Sequence, residues 1–218
     1  SVFVGYRCYL TAGRKVRFPF GYGLSYTVFQ YSDIQTGQTE DGVWAECEVT
    51  NTGKRSGAEV VQLYVKAPRS GVFKPEKELR GFRKIYLKAG ESRKVRIEVL
   101  KEWLKYFHTG QRRWVLEPGA YEFQFCSDCA TVRLSRKVML NGESVGSPYD
   151  DQTERIYAGR AGYGISDADF VRMSGASIPP LPPRYPVTLE SRFTDLNQSF
   201  LGRVLFRAVL NVADKQMK

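Results

Sequence analysis

The chain has 218 residues, of which 42% are hydrophobic and 26% charged, and it carries a net charge of +10. This composition is ordinary for a globular protein, and no apolar run approaches the ~20 residues that a membrane-spanning helix needs. Basic residues alternate with acidic ones along the whole chain and form no basic arm, so we do not expect nucleic acid as a partner.

Residues 1–28 concentrate aromatic side chains around glycines. Such a segment is too apolar for a solvated tail, and it predicts an extended arm that covers a neighbouring surface. The first residues contain neither an initiator methionine nor a secretory leader, so we expect another domain to precede them. The predicted interdomain contacts in the arm are Phe18, Phe20, Tyr22 and Tyr26.

From residue 29 to residue 138 apolar and polar residues alternate with a period of two, which is typical of half-buried strands. Cys47 shares the apolar face of one strand with Val43, Ala45 and Val49, so we predict that it is buried in the core. In the next strand Val60 and Tyr64 make the second face apolar as well. A strand of this kind is covered on both sides, and both residues join the predicted interdomain contacts.

The parity of the apolar residues changes around Gly81-Phe82, which predicts a β-bulge. Altogether the pattern gives about seven short strands separated by turns, the pattern of an immunoglobulin-like sandwich. The antibody-type pair of cysteines flanking a core tryptophan is absent, so the prediction is an all-β protein with a fibronectin III-like β-sandwich. Outside it we expect only the extended N-terminal arm and a partly helical C-terminal tail.

The tail divides into a linker, residues 139–187, and a helical segment, residues 188–218, which we expect to be truncated. Ser166 can cap a short helix that ends at Gly175, and prolines between Pro179 and Pro186 predict a stiff connector. A helix that begins after Thr188 or Ser199 has a broad apolar face. Acidic residues of the tail fit no calcium loop, and we expect them to cap helices or face solvent: Asp150, Asp151, Glu154, Asp167 and Asp169.

Four cysteines raise the possibility of a disulfide or a metal site. Cys126 and Cys129 have CxxC spacing, but they lie between two strand-like runs rather than before a helix, and strand parity places both on the outer face. A zinc site would need two further ligands, and His108 is the only histidine. We expect it to be a hydrogen-bonded surface residue. We predict reduced cysteines, no cofactor, no metal and a cytoplasmic, bacterial location.

In this order and spacing, several segments together resemble the C-terminal region of family 3 glycoside hydrolases of the β-glucosidase kind, over about residues 3–138. The resemblance implies an arm, 1–28, that leaves a preceding α/β-sandwich domain, and a fibronectin type III-like domain, 29–138. The segments that carry it are Gly5-Tyr6-Arg7, Phe18-Pro19-Phe20-Gly21-Tyr22-Gly23-Leu24-Ser25-Tyr26-Thr27, Val49-Thr50-Asn51-Thr52-Gly53-Lys54, Gly57-Ala58-Glu59-Val60-Val61-Gln62-Leu63-Tyr64-Val65, Pro75-Glu76-Lys77-Glu78-Leu79-Arg80-Gly81-Phe82 and Glu117-Pro118-Gly119-Ala120-Tyr121.

The resemblance implies a parent enzyme with an aspartate nucleophile in a TIM-barrel domain and a glutamate acid/base usually in the α/β-sandwich domain. A retaining glycosidase needs these carboxylates ~5 Å apart. The matching region begins after both motifs, so no catalytic residue carries over to this chain. We therefore expect a non-catalytic accessory module whose partners are those two domains.

Two other functions remain open. Surface aromatics could stack on sugar rings and make the chain a carbohydrate-binding module; the candidates are Trp44, Tyr64, Trp103, Tyr106, Phe107 and Trp114. The C-terminal helix combines an apolar face with Arg203 and Arg207, which suits association with a membrane surface. We prefer docking on protein in both cases, because it needs neither sugar nor lipid.

Overall fold

The structure of the protein is a computed structural model, which divides into two compact units, 1–174 and 175–218. The described residues are 2–157, 165–180, 188 and 191–216. The strands are β1 (Phe29–Gln38), β2 (Gly42–Asn51), β3 (Gly57–Lys66), β4 (Glu78–Leu87), β5 (Ser92–Leu100), β6 (Tyr106–His108), β7 (Arg113–Val115), β8 (Gly119–Cys126) and β9 (Val132–Leu140). The helices are α1 (Tyr6–Thr11), α2 (Asp151–Tyr157), α3 (Asp167–Ser174) and α4 (Phe200–Gln216), with 3-10 turns at Lys101–Leu104 and Phe193–Gln198.

Seven of the strands form a sandwich of two antiparallel sheets, ordered β1-β2-β5 and β4-β3-β8-β9, and β6 and β7 form a separate hairpin. The core lies between the sheets, where the inward-facing residues of both interdigitate. Cys47 is fully buried among them, as the strand pattern predicted. Its burial raises the pKa of the thiol to about 12. The predicted all-β sandwich is confirmed.

The predicted β-bulge is also present. Leu63 pairs with Gly81 while its neighbour Tyr64 pairs with Leu79, so Arg80 is the extra residue of β4. An extra residue shifts the side-chain parity by one, which explains why the apolar residues of β4 change face near Gly81. β9 continues two residues beyond the predicted end of the domain at residue 138.

Two segments differ from the sequence prediction. The arm is not wholly extended, because it contains the six-residue helix α1. The predicted linker contains α2, in which Asp150 accepts a hydrogen bond from the Thr153 amide and so caps the first turn. These helices are only six and seven residues long, too short to present a clear apolar period.

The helix predicted after Ser166 is present as α3: the Ser166 hydroxyl accepts a hydrogen bond from the Asp169 amide, and Gly175 follows with φ +66°. The prolines from Pro182 to Pro186 lie outside the described residues.

In the second unit Ser199, one of the two predicted start points, caps α4 by accepting a hydrogen bond from the Gly202 amide at 3.0 Å. The first residues of α4 leave large apolar side chains exposed, including Leu201 and Val204. No helix among the described residues has the length and apolar character to cross a membrane. Association of α4 with a membrane surface stays a prediction.

Candidate interdomain surface and aromatic cavity

Helix α1 covers the outer face of the four-stranded sheet, which is why Tyr64 can be apolar there. The Tyr6 ring stacks on Phe20, with 5.0 Å between ring centroids, and meets the Tyr64 ring edge-on at 5.8 Å. Tyr6 and Leu10 pack against a small cluster of three buried residues, Tyr64, Cys126 and Cys129, separate from the main core. The arm therefore covers the second apolar face of β3 at Tyr64, which the sequence pattern predicted to be covered.

Polar contacts fix the arm in this position. The Tyr6 hydroxyl accepts a hydrogen bond from the Leu79 amide at 2.9 Å, and the carbonyl of Phe20 accepts one from the Cys129 amide at 2.8 Å. Gly21 has φ +83°, and a Cβ built on it would lie 2.4 Å from the Gln62 side chain. Only glycine allows both that backbone conformation and that close approach.

The six predicted interdomain residues differ in their exposure to solvent. Tyr64 has no exposed surface, because this chain's own arm covers it, so it is not available to another domain. Val60 is 39% exposed, and the four aromatics of the arm remain largely open, with exposures of 67% for Phe18, 51% for Phe20, 47% for Tyr22 and 91% for Tyr26. With Leu24, which is 89% exposed, these four define the arm face.

The arm face borders an apolar groove of about 540 Å³, to which Tyr9, Val16, Phe18 and Phe20 contribute. Several large apolar side chains exposed together on one surface are the usual sign of an interaction site. Tyr6 was not among the predicted contacts, since a single short helix gives no periodicity from which to choose its buried side.

Cys126 and Cys129 lie on the outer face, as strand parity predicted, but both are buried beneath the arm. Neither is in a disulfide. The buried Lys77 ammonium donates to Gln124 Oε1 at 2.9 Å and lies 3.7 Å from Cys126 Sγ. Burial raises the pKa of the Cys126 thiol to about 11, although the Lys77 charge opposes the shift. A buried thiol of high pKa is a poor nucleophile.

The aromatic candidates for sugar binding separate into two groups. Tyr64 is buried, and Arg96 covers one face of the Trp44 ring, 4.2 Å from its centroid. Trp103, Phe107 and Trp114 are 45%, 47% and 61% exposed. These three line one cavity of about 590 Å³, together with Tyr106 and Tyr149. We call it the aromatic cavity.

Charged side chains in the aromatic cavity are balanced within the protein. Lys74 forms an ion pair with the buried Glu117, and its ammonium lies 5.2 Å from the centroid of the Tyr106 ring. Glu78 pairs with both Arg80 and Arg7 of α1. The cavity therefore combines flat apolar faces with paired charges.

His108 differs from its prediction as a surface residue, because only 5% of it is exposed. Its Nε2 is 3.0 Å from the Gly146 carbonyl, and its Nδ1 accepts a hydrogen bond from the Gln111 amide, which fixes a loop rather than a reacting group. The hydrogen bonds that Asp150 accepts from Thr153, from its amide above all, lower the pKa of the carboxyl, and the ion pair with Arg172 adds to this effect. Among residues 2–157, 165–180, 188 and 191–216 no three His, Cys, Asp or Glu side chains form a metal site.

Part of the chain matches a known domain family. Residues 59–128, from the third residue of β3 to just beyond the end of β8, match the family model of the fibronectin type III-like domain. The chain carries a fibronectin type III-like domain. The match covers the four-stranded sheet as far as β8, the strand β5 and the hairpin that contributes Phe107 and Trp114.

Proteins similar to this chain include β-glucosidases and an arabinopyranosidase. Thermostable β-glucosidase B of Acetivibrio thermocellus is 40% identical over 145 residues, which are 65% of this chain and 19% of that protein. A β-glucosidase of Kluyveromyces marxianus is 47% identical over 123 residues, 56% of this chain and 15% of that protein. The exo-α-(1→6)-L-arabinopyranosidase of Bifidobacterium breve is 36% identical over 149 residues, 68% of this chain and 20% of that protein.

Solved structures give the same result. β-Glucosidase 3B of Thermotoga neapolitana in complex with glucose matches with a TM-score of 0.58 and 36% identity over 63% of this chain and 19% of that one. The K. marxianus β-glucosidase matches with a TM-score of 0.62 and 38% identity over 65% of this chain and 18% of that one. The predicted resemblance to the C-terminal region of family 3 glycoside hydrolases, with its fibronectin type III-like domain, is confirmed. The chain spans about a fifth of the length of these relatives.

Proposed function

We propose that the chain is the non-catalytic accessory region of a β-glucosidase-like glycoside hydrolase, where it packs against the TIM-barrel and α/β-sandwich domains. One observation carries this proposal: the chain is 36–47% identical to glycosidases but spans only 15–20% of their length. The hydrolysis of glycosidic bonds would then belong to the parent enzyme, and the domain would stabilise the parent's structure.

The arm face is the surface that we assign to the other domains. Burying even ~400 Å² of apolar surface contributes on the order of 10 kcal/mol gross at ~25 cal/mol per Å², although ordering the partners offsets much of it. The arm itself is already held on the sandwich by Tyr6 and Phe20. Its exposed aromatics are thereby presented in a fixed arrangement, which lowers the entropic cost of docking.

No catalytic pair is expected in this chain, because neither carboxylate motif of the parent carries over to it. The isolated chain should therefore hydrolyse no aryl-β-glucoside. Turnover that survives repurification and disappears on mutation of an acidic residue of this chain would contradict the proposal. We also propose a reducing, cytoplasmic location, for which the four cysteines without disulfides give support.

A chimera tests the docking role. The region of T. neapolitana β-glucosidase 3B that matches this chain would be replaced by residues 1–140, and activity on an aryl-β-glucoside and the melting temperature would be measured. Truncation of the T. neapolitana enzyme before the replaced region should lower its melting temperature. We expect the chimera to recover much of that loss. A matched chimera that carries Phe18→Ser and Tyr22→Ser should not. A third chimera with Tyr86→Ser, at an exposed aromatic of β4 outside the arm face, is the control.

If the truncated relative is as stable and as active as the first chimera, the region is not a stabilising module. If the Phe18→Ser, Tyr22→Ser chimera behaves like the control, the arm face is not the docking surface. The two results separate the function of the region from the location of its interface.

A further inference from the structure

The aromatic cavity lies apart from the arm face, on the hairpin β6–β7 and the turn before it. We propose that it is a binding site for a neutral oligosaccharide. The proposal does not depend on whether the chain belongs to a hydrolase, since it rests on the side chains that line this cavity.

The first argument is the arrangement of the aromatic rings. Phe107 and Trp114 are paired across the hairpin, so their side chains project from the same face. Their rings meet edge-on, with 5.7 Å between centroids and 71° between planes. The ring that presents its edge keeps both faces clear of its partner, and Trp103 adds a third exposed ring. Open flat faces of this kind suit the apolar face of a pyranose ring.

The second argument is the size of the cavity. Its volume is about 590 Å³, which falls within the roughly 300–1,000 Å³ typical of small-molecule sites. Several stretches of chain distant in sequence line it, among them the segments around Lys74 and from Trp103 to Trp114, and the residue Tyr149. Tyr149 is held by the Phe73 ring at 5.0 Å between centroids, so this wall is packed in place.

The third argument is charge. Lys74 is paired with Glu117, and Arg80 with Glu78. An ionic ligand would have to compete with these two ion pairs. Glu102 and Lys105, which also line the cavity, carry one charge of each sign, so the cavity has no strong excess of either charge. Sugar hydroxyls both donate and accept hydrogen bonds. They can bond to either member of such a pair without breaking it, which favours a neutral ligand.

Affinity gel electrophoresis of the full 218-residue chain tests the site, with soluble mixed-linkage β-glucan in the gel as the probe. The chain has a pI of about 9.5, so the native gel is run towards the cathode. We expect the wild-type chain to be retarded, and the retardation to disappear in Trp114→Ala. Trp114 is 61% exposed, so its truncation should leave the melting temperature unchanged. Phe107→Ala is the second variant, should Trp114→Ala fail to fold.

The matched control is Trp44→Ala, which removes a tryptophan outside the cavity that is already stacked by Arg96. It should be retarded like the wild type, and added salt should leave the retardation unchanged. Absence of retardation, equal retardation of Trp114→Ala and Trp44→Ala, or loss of retardation in salt would each overturn the proposal. The proposal would also be overturned if Trp114→Ala still bound glucan but lowered the melting temperature of the chimera that carries it. The cavity would then be a protein interface.

Discussion

Truncation of Tyr6 to alanine should release the arm from the sandwich while the sandwich stays folded. Tyr6 is half-buried, stacks on Phe20, contacts Tyr64 and accepts a hydrogen bond from the Leu79 amide. Removal of a fully buried aromatic side chain costs about 3–5 kcal/mol, so half-burial gives about 1.5–2.5 kcal/mol. The lost hydrogen bond adds about 1 kcal/mol.

The sum, about 2.5–3.5 kcal/mol, raises the equilibrium constant for opening of the arm by about sixty- to three-hundredfold. The readout is native-state thiol labelling, because Cys126 and Cys129 lie beneath the arm whereas Cys47 lies in the core. In a Cys8→Ser background, Tyr6→Ala should speed the labelling of Cys126 and Cys129 by that factor. Labelling of Cys47 should stay slow, since it requires the sandwich itself to unfold.

The control is Tyr9→Ala, on the same helix, whose side chain is 43% exposed; it should change labelling little. Tyr6→Phe keeps the ring and loses only the hydroxyl, so it should show roughly the hydrogen-bond part of the effect. Equal labelling rates for Tyr6→Ala and Tyr9→Ala would refute the inference that Tyr6 holds the arm. A parallel rise at Cys47 would refute local opening and show that arm and sandwich unfold together.

Two further predictions concern the sandwich. Asn51 is fully buried, accepts hydrogen bonds from Thr27 and Gly53 and donates to the carbonyls of Arg55 and Leu87. Asn51→Ala should therefore lower the free energy of unfolding by about 2–4 kcal/mol in urea. A loss no larger than that of Thr50→Ala, at a neighbouring half-buried residue, would contradict this account of the network. The pKa of Cys47 is raised from 9.0 to about 12 in the folded state, so its contribution to stability is complete below pH 9 and is lost as the pH rises through about 12. Each pH unit in that window lowers the free energy of unfolding by up to about 1.4 kcal/mol. Cys47→Ala should flatten the pH dependence of the free energy of unfolding there. An unchanged slope would mean that the thiol does not titrate as its burial implies.

The sequence by itself determined the sandwich, the bulge near Gly81 and the burial of Cys47. All three depend on alternation of apolar and polar residues within one strand, and a period of two is a local property. It also indicated correctly that β3 is covered on both faces at Tyr64, although Val60 on the same outer face stays 39% exposed. The order of the quoted segments was sufficient for the resemblance to family 3 glycoside hydrolases.

Only the tertiary structure decided what covers Tyr64. The cover is α1, a helix of six residues that lies more than fifty residues away in the chain, and a segment so short carries no period from which its buried side could be read. The tertiary structure also decided which surface aromatics keep an open ring face. Whether a tryptophan offers an open ring depends on its neighbours in space: Arg96 covers one face of Trp44, whereas Trp114 meets Phe107 edge-on and stays 61% exposed. Such contacts join residues of different strands, and the order of residues along one strand does not encode them.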